Sequence, residues 1–467
     1  MSEKKSILTS PSPHLSVHKR GWLGVQVLMA LVIPNLVFLG VHYAARSLPV
    51  EPIRGHISMA IGRGDILTDP KTFDVLYLDS ARGVEPWGDA NCLRAAIYRG
   101  PSKWKDALAP RFLEPADGVE RHPAEELRGA LLGTLVFDPQ SGYYHRYWHG
   151  NVAITSFLLS VFDVRQARLA LINASYFLFM LIPVLAYTHS KALGIVLGVI
   201  CGFGIWFSGL PYHGQTFAYA PAFIWSQIVV LPVLWFRRTL LPDENFVLLG
   251  LVSGAIAAFV EPMSGAFVMG GCLFFLTLYF SQTETGRRRE AFRTAATALA
   301  AFMAGVICSL LFKQTIAALF FGWDQTFGVL LTKLWWRMGL TGERVTALQV
   351  VGALKVNVGY LTFGSPWLSK LLVYGSVTAF LAGSIFVAID IRRNRWSDRF
   401  FDYIAVLGSM VMIPLWYIVL PSHTVIHAWI TVRLLYIPLA LSWVLLWLSV
   451  QATSTQRRRE SHNRKGD

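Results

Sequence analysis

Long apolar stretches alternate with short polar runs along most of this chain. Ten stand out, at about 22–45, 167–188, 191–210, 217–236, 245–262, 263–281, 293–321, 367–389, 400–420 and 434–450. An α-helix needs about 20 apolar residues to cross the hydrocarbon core of a bilayer. Backbone polar groups inside that core must be satisfied within the segment, which makes each stretch a helix. The pattern predicts an all-α, polytopic membrane protein of about ten transmembrane helices. Two polar intervals are long, 46–166 and 322–366, and loops beyond about 15 residues are usually functional or disordered. The first holds helix-like stretches at 89–98 and 123–136. It ends in a short apolar helix from Asn151 to Phe162, too short to span and expected to be re-entrant or interfacial. The second carries Lys333 and Trp335-Trp336-Arg337, a pattern suited to an interfacial amphipathic helix.

Charge gives the stretches a direction. Lys19-Arg20, Arg237-Arg238, Arg287-Arg288-Arg289, Arg392-Arg393 with Arg395, and Arg457-Arg458-Arg459 all fall on one side when the chain is threaded through ten spans. By the positive-inside rule that side is cytoplasmic. The expected layout is a cytoplasmic tail at 1–21, a single transmembrane domain at 22–450 with 46–166 and 322–366 outside, and a basic cytoplasmic tail at 451–467. The net charge of +14 sits in those loops and the tail, where it meets anionic lipid. No folded basic domain remains for a nucleic-acid partner. The basic N-terminus runs into a first span without a small-residue cleavage site, and reads as a retained helix. Cys201, Cys272 and Cys308 fall in spans, so Cys92 outside has no partner for an intramolecular disulfide. There is no Walker A loop and no GxGxxG after a strand. The cytoplasmic loops are too small to bind a nucleotide sugar, so a transferase of this layout would use a lipid-borne donor.

Three groups of polar residues carry candidate chemistry. The first is Tyr143-Tyr144-His145-Arg146-Tyr147-Trp148-His149-Gly150. Arg146 can give charge-assisted hydrogen bonds to phosphate oxygens, and the rings of the block can stack on a sugar. The alternative is an aromatic belt with a snorkelling arginine. The second runs from Pro421 to Arg433. His423 and His427, four apart, share a helix face, and Arg433 enters the last span near its external end, where an ionisable residue usually marks a substrate path. The alternative is again an interfacial snorkelling side chain. The third is the acidic pair of the first loop, Asp79 and Asp89. Asp89 opens a helix-like run and is either its N-cap or a general base that takes the proton of an acceptor hydroxyl. Glu261 is either a turn residue or a sugar contact, and Lys313 is expected to snorkel outward. His145/His149 and His423/His427 offer four imidazoles at HxxxH spacing. Without a companion Glu or Cys that is a weak metal signal, and a carboxylate–phosphate site for Mg²⁺ or Mn²⁺ is an equal expectation.

The order of these parts resembles the GT-C class of membrane glycosyltransferases. Leu78-Asp79 through Asp89-Ala90, Arg146-Tyr147-Trp148-His149-Gly150 and His423…His427…Arg433 are similar to the motifs of a bacterial GT-C-like membrane family. The chain departs from that family in the first loop, where Ala81 to Gly88 separate the two acids. The resemblance implies a protein of the bacterial cytoplasmic membrane with both termini inside. It would transfer a sugar from a polyprenyl-phosphate donor to a glycan, lipid or protein on the external face. It further implies Asp89, or Asp79, as base, with Arg146, Arg433 and the histidines stabilising the leaving phosphate. Two other readings use the same residues. One is a transporter or flippase for a lipid-linked or anionic solute, although such proteins tend to place their sites at the midplane. The other is a surface-glycan polymerase or ligase, which usually carries its large loop late in the chain.

Overall fold

In the computed structural model, described for residues 13–66, 86–138, 142–144, 146–235, 243–260, 265–285, 288–342, 344–362, 365–394 and 400–463, helices stand at all ten apolar stretches. Five segments are long and apolar enough to cross a membrane: Trp22–Ser47, Val164–His189, Arg289–Phe321, Pro366–Arg392 and Val432–Gln451. They fit a multi-pass membrane protein. The other five stretches form shorter apolar helices, Lys191–Phe207, Ala220–Trp235, Glu244–Val260, Val268–Ser281 and Tyr403–Val419. Among the described residues there is no strand, only two isolated antiparallel bridges, Arg111 with Tyr143 and Pro115 with Phe137.

The first long helix, α1 (Pro13–Ser47), carries Arg46 in its last turn and leads into the long segment after the first apolar stretch. That segment folds into α2 (Val50–Gly62), α3 (Pro86–Ile97), α4 (Lys103–Leu108), α5 (Pro123–Leu132) and α6 (Gly150–Val161). It has its own core, in which Ile53, Ile57, Leu93, Ile97, Leu127, Val152 and Leu159 are buried together. A buried ion pair between Arg94 and Glu126 ties α3 to α5, and Arg94 Nη2 also donates to the Leu113 carbonyl at 2.7 Å. The expected short apolar helix is α6.

Helix starts follow local chemistry. Asp163 caps α7 (Val164–His189), accepting from Gln166 N at 2.8 Å, while the Gln166 side chain accepts from Asp163 N. This reciprocal box satisfies two orphan donors. Ser190 caps α8 (Lys191–Phe207) one way only, its hydroxyl accepting from Leu193 N at 3.4 Å. The stretch expected at 217–236 is broken: Leu210–His213 is one turn, α9 (Ala220–Ile228) follows, and Val230–Trp235 closes it. Pro211, Pro221 and Pro232 explain the breaks, since each lacks a donor and fixes its backbone. The intervening 214–219 loop reaches into the core of the segment that follows α1, where Phe217 and Ala218 are buried.

Next come α10 (Asp243–Val260), α11 (Gly265–Thr285) and α12 (Arg288–Phe321). Gly250, Gly254 and Gly305 lie where α10 meets α12. A Cβ at each would press on a carbonyl of the opposite helix, on Ala298, Phe302 and Leu251 respectively. Small residues let the backbones approach, the usual basis of helix association in lipid. After α12, the second long polar interval forms α13 (Val329–Arg337), which buries no residue, and α14 (Ala347–Asn357). The chain closes with α15 (Pro366–Asn394), α16 (Phe400–Val419), the short α17 (Pro421–Ile426) and α18 (Tyr436–Asn463), preceded by a 3₁₀ turn at Val432–Leu435.

Candidate functional site

Residues 142–144 and 146–149 reach the site from the end of the first long polar segment. His149 takes a left-handed conformation, φ 56°, immediately before α6. A side chain other than glycine holds that conformation at a cost, repaid only by its surroundings. Trp148 supplies the anchor. It is fully buried, its indole N–H faces Ser309 Oγ at 3.2 Å, and Ser309 Oγ donates to Asn35 Oδ1 at 2.6 Å. Its ring lies 6.0 Å from Phe38 and 5.9 Å from His42. Trp148 thus pins the segment to α1 and α12 and presents no open face to a sugar. His149 points among Tyr144, Tyr147 and Phe112, with ring centres 4.7, 5.7 and 6.3 Å away. Its Nε2 is buried without a partner. Burial, then the charge of Lys313, holds this imidazole well below its ordinary range. The Arg146 guanidinium lies 4.2 Å from the Tyr144 ring centre, and the Arg146 carbonyl accepts from Gln314 Nε2 at 2.8 Å. His145 lies outside the described residues.

Arg337, at the end of α13, joins the two sequence blocks. It donates to the Tyr147 hydroxyl, and its charge acts on both His423 and His427. The rings of His423 and His427 are 4.6 Å apart, as their spacing on one helix face predicts. His423 Nδ1 is buried without a partner. Burial, reinforced by Arg337 and His427, pushes His423 down to about 2. The Tyr144–Tyr147–His149 group and the His423–His427 pair thereby flank one guanidinium.

Arg433 stands in the 3₁₀ turn before α18, 6 % exposed. Its guanidinium lies 5.1 Å from the Tyr219 ring centre and 5.2 Å from that of Phe223. The His213 and Tyr219 rings meet at 5.5 Å. One turn further on each element the character changes. Tyr436 follows Arg433, Ser226 and Gln227 follow Phe223, and all three line an apolar cavity with Phe179, Cys201 and Phe275. The cavity volume is about 60 Å³. A cationic, aromatic recess therefore adjoins an apolar chamber.

Asp89 lies in the first turn of α3, not ahead of it, so the N-cap expectation is corrected. Its Oδ2 accepts from Arg168 in a buried ion pair, and its Oδ1 accepts from Phe217 N at 2.9 Å. Asp89 and Arg168 are 2 % and 6 % exposed. Asn151 Nδ2 adds a bond to the Ala218 carbonyl at 3.3 Å. The carboxylate thus holds the 214–219 loop whose Tyr219 underlies Arg433. Lys313 does not snorkel. It is fully buried, and its Nζ has no partner. Asp79 and Glu261 lie outside the described residues. Among the described residues no three His, Cys, Asp or Glu side chains gather as a metal site.

Arg337, Arg168, Tyr219 and Lys313 are the residues that sequence reading left without a role in the site. The one signal for Tyr219 is the Gly- and Pro-rich break at 209–221 in an otherwise apolar run. No protein-family model, no curated protein and no solved structure matches the chain. Its site is read from its own geometry.

Proposed function

We propose that the chain is a membrane glycosyltransferase of GT-C-like layout with ten spans. It would move a sugar from a polyprenyl-phosphate donor to a glycan, lipid or protein acceptor outside the cytoplasmic membrane. The observation that carries this reading is the Arg433 recess, one turn from an apolar chamber. A phosphate that bears an isoprenoid chain is the ligand that uses both. Arg433 would bind the donor phosphate and take up the charge that develops as the sugar leaves, and Arg337, which His423 and His427 flank, is a second guanidinium open to the same role. The acceptor hydroxyl attacks the anomeric carbon, its proton passes to a base, and the lipid phosphate departs. Asp89 is a candidate base only if it gives up its bond to Arg168. In the arrangement described it acts by positioning the Tyr219 loop.

The test is transfer from a synthetic polyprenyl-phosphate sugar by the purified protein in nanodiscs. Arg433→Lys keeps the charge but loses the planar fork. It is expected to weaken donor binding about 10-fold or more, the scale of a lost charged hydrogen bond, whereas Arg458→Lys in the tail leaves it unchanged. Equal donor binding by wild type and Arg433→Ala refutes the assignment. A second reading, transport of an anionic lipid-linked solute, draws on Lys313. A buried lysine inside a span is by default functional, and movement of donor across the bilayer without any transfer would favour it.

A further inference from the structure

Lys313, His42 and His149 converge at the N-terminus of α6, each with a nitrogen that the fold leaves unspent. Lys313, on α12, is fully buried, and so is His42, near the end of α1. Lys313 Nζ, His42 Nε2 and His149 Nε2 are all enclosed without a hydrogen-bond partner. The other nitrogen of each ring is spent on the backbone, at Trp148 for His42 and at Tyr144 for His149. The charge of Lys313 acts on both imidazoles, and that of His42 on His149, so the three face one another. The walls are aromatic. The His42 ring centre lies 5.9 Å from that of Trp148 and 5.3 Å from that of Phe259, and a Cβ at Gly150 would come 2.5 Å from the same Phe259 ring. That contact brings the start of α6 to the enclosure, and α6 has no side-chain cap. One turn back along α12 the interface is satisfied, since Ser309 Oγ donates to Asn35 and meets the Trp148 indole N–H.

Among the described residues no carboxylate acts on any of the three. The other charges that reach them are again positive, Arg46 on His42 and Arg146 on His149. Arg46 has Asp106 as a counter-ion, whereas burial alone acts on Lys313. Buried charge persists when it is paired, and an uncapped helix start adds backbone N–H groups suited to an anion. We propose that Lys313, His42 and His149, at the start of α6, enclose a site for one small monovalent anion, a halide or a short carboxylate. A single negative charge matches the one lysine, and the enclosure between aromatic rings favours a small ion over a phosphate ester. Such an ion would tie α1, α6 and α12 together. It favours the protonated form of every nitrogen that faces it, so binding takes up a proton and strengthens as pH falls. The site requires neither Arg433 nor Arg337, and so stands apart from glycosyl transfer.

The test is thermal unfolding of the full chain in phosphatidylcholine nanodiscs, with the bulky anion gluconate replaced stepwise by chloride or by formate at constant ionic strength. Wild type is expected to gain about 2–4 °C with the small anion. Half-saturation should fall severalfold from pH 8 to pH 6, and about tenfold per unit is the ceiling for one proton per anion. Lys313→Met should abolish the gain. In gluconate it should melt no lower than wild type, because an apolar chain of similar length replaces an unpaired buried amine. Lys370→Met, at an exposed position, should keep the gain. A gain with chloride alone supports a halide, with formate alone a carboxylate, and with both any small monovalent anion. No gain with either, an equal gain in Lys313→Met, or a half-saturation indifferent to pH overturns the site. Should Lys313→Met fail to fold, His42→Gln takes its place, and an unchanged half-saturation there overturns the site.

Discussion

Asp89 uses both carboxylate oxygens inside the protein, one on Arg168 and one on the Phe217 N–H. Removing one member of a buried ion pair leaves the other charge uncompensated, at a cost of about 3–5 kcal/mol, whereas replacing both by apolar residues is often neutral. Asp89→Asn is therefore expected to lose about that much stability in a denaturation titration, and Asp89→Leu/Arg168→Met to recover most of it. The same pair separates strut from base. A folded double variant that transfers sugar takes Asp89 out of the chemistry, and a folded but inactive one keeps it there. His423 carries a pH signature. Its folded value, about 2, lies far below the free value of 6.5, so the unfolded chain binds the extra proton. Stability from this residue is complete above pH 6.5 and falls as pH drops below it. The loss is on the order of 1 kcal/mol by pH 5.5, and His423→Gln should flatten that slope between pH 7 and 5. Legibility at this scale was uneven. The blocks around His149 and His423 stand out in the sequence because His and Arg are rare among apolar neighbours. Their meeting through Arg337 was hidden, because Arg337 and Tyr147 are 190 positions apart and Arg337 also fits an amphipathic surface helix. Lys313 misled for the opposite reason: a lone lysine near a span end usually reaches for water, and this one is enclosed.

Among the elements, helix positions were the most readable feature, because a run of about 20 apolar residues leaves the backbone no alternative in lipid. The break at 208–219 was equally written in Gly209, Pro211, Gly214 and Pro221, yet hydropathy averages over it and merges it with its neighbours. That break matters most for the site, since its loop carries Tyr219 beneath Arg433 and is fixed by Asp89. Packing between helices is less visible, but Gly250 and Gly254 have the four-residue spacing of a close helix contact. A methyl group at Gly254 would meet the Phe302 carbonyl across the interface, whereas at Gly202 it meets nothing within 4 Å. Gly254→Ala should accordingly destabilise the bundle, by the roughly 1–3 kcal/mol typical of overpacking. Gly202→Ala should be neutral or gain up to about 1 kcal/mol from helix propensity. Unfolding of the two variants in mixed micelles compares them directly, and equal behaviour would mean that α10 and α12 do not meet at these glycines.

For the whole molecule, the decisive geometry is the separation of charge from site. Helix α12 begins at Arg288 and ends at Phe321; its 34 residues cover about 50 Å at 1.5 Å each. Phe321 touches Tyr143, with ring centres 5.1 Å apart, and Trp148 binds Ser309 on the same helix. Tyr143 and Trp148 thus meet the second half of α12, and Arg288 and Arg289 stand at its other end. The charge pattern predicts that the arginine end lies inside, which would turn the site outward and require a lipid-borne donor to arrive within the outer leaflet or by flipping. Cysteine labelling in intact cells tests this orientation. Val136 is 76 % exposed in the first external region, and Ser454 belongs to the basic end of α18; of the native thiols, Cys92 and Cys201 are buried and Cys272 and Cys308 half-buried. Val136→Cys should react with an impermeant maleimide in whole cells, and Ser454→Cys only after the membrane is opened. The reverse pattern would invert the molecule, place the donor recess in the cytoplasm and remove the reason for a lipid-borne donor. Labelling of both positions from outside would mean an even number of crossings between them, where the ten-span map has nine, so that the count of spans would need to change.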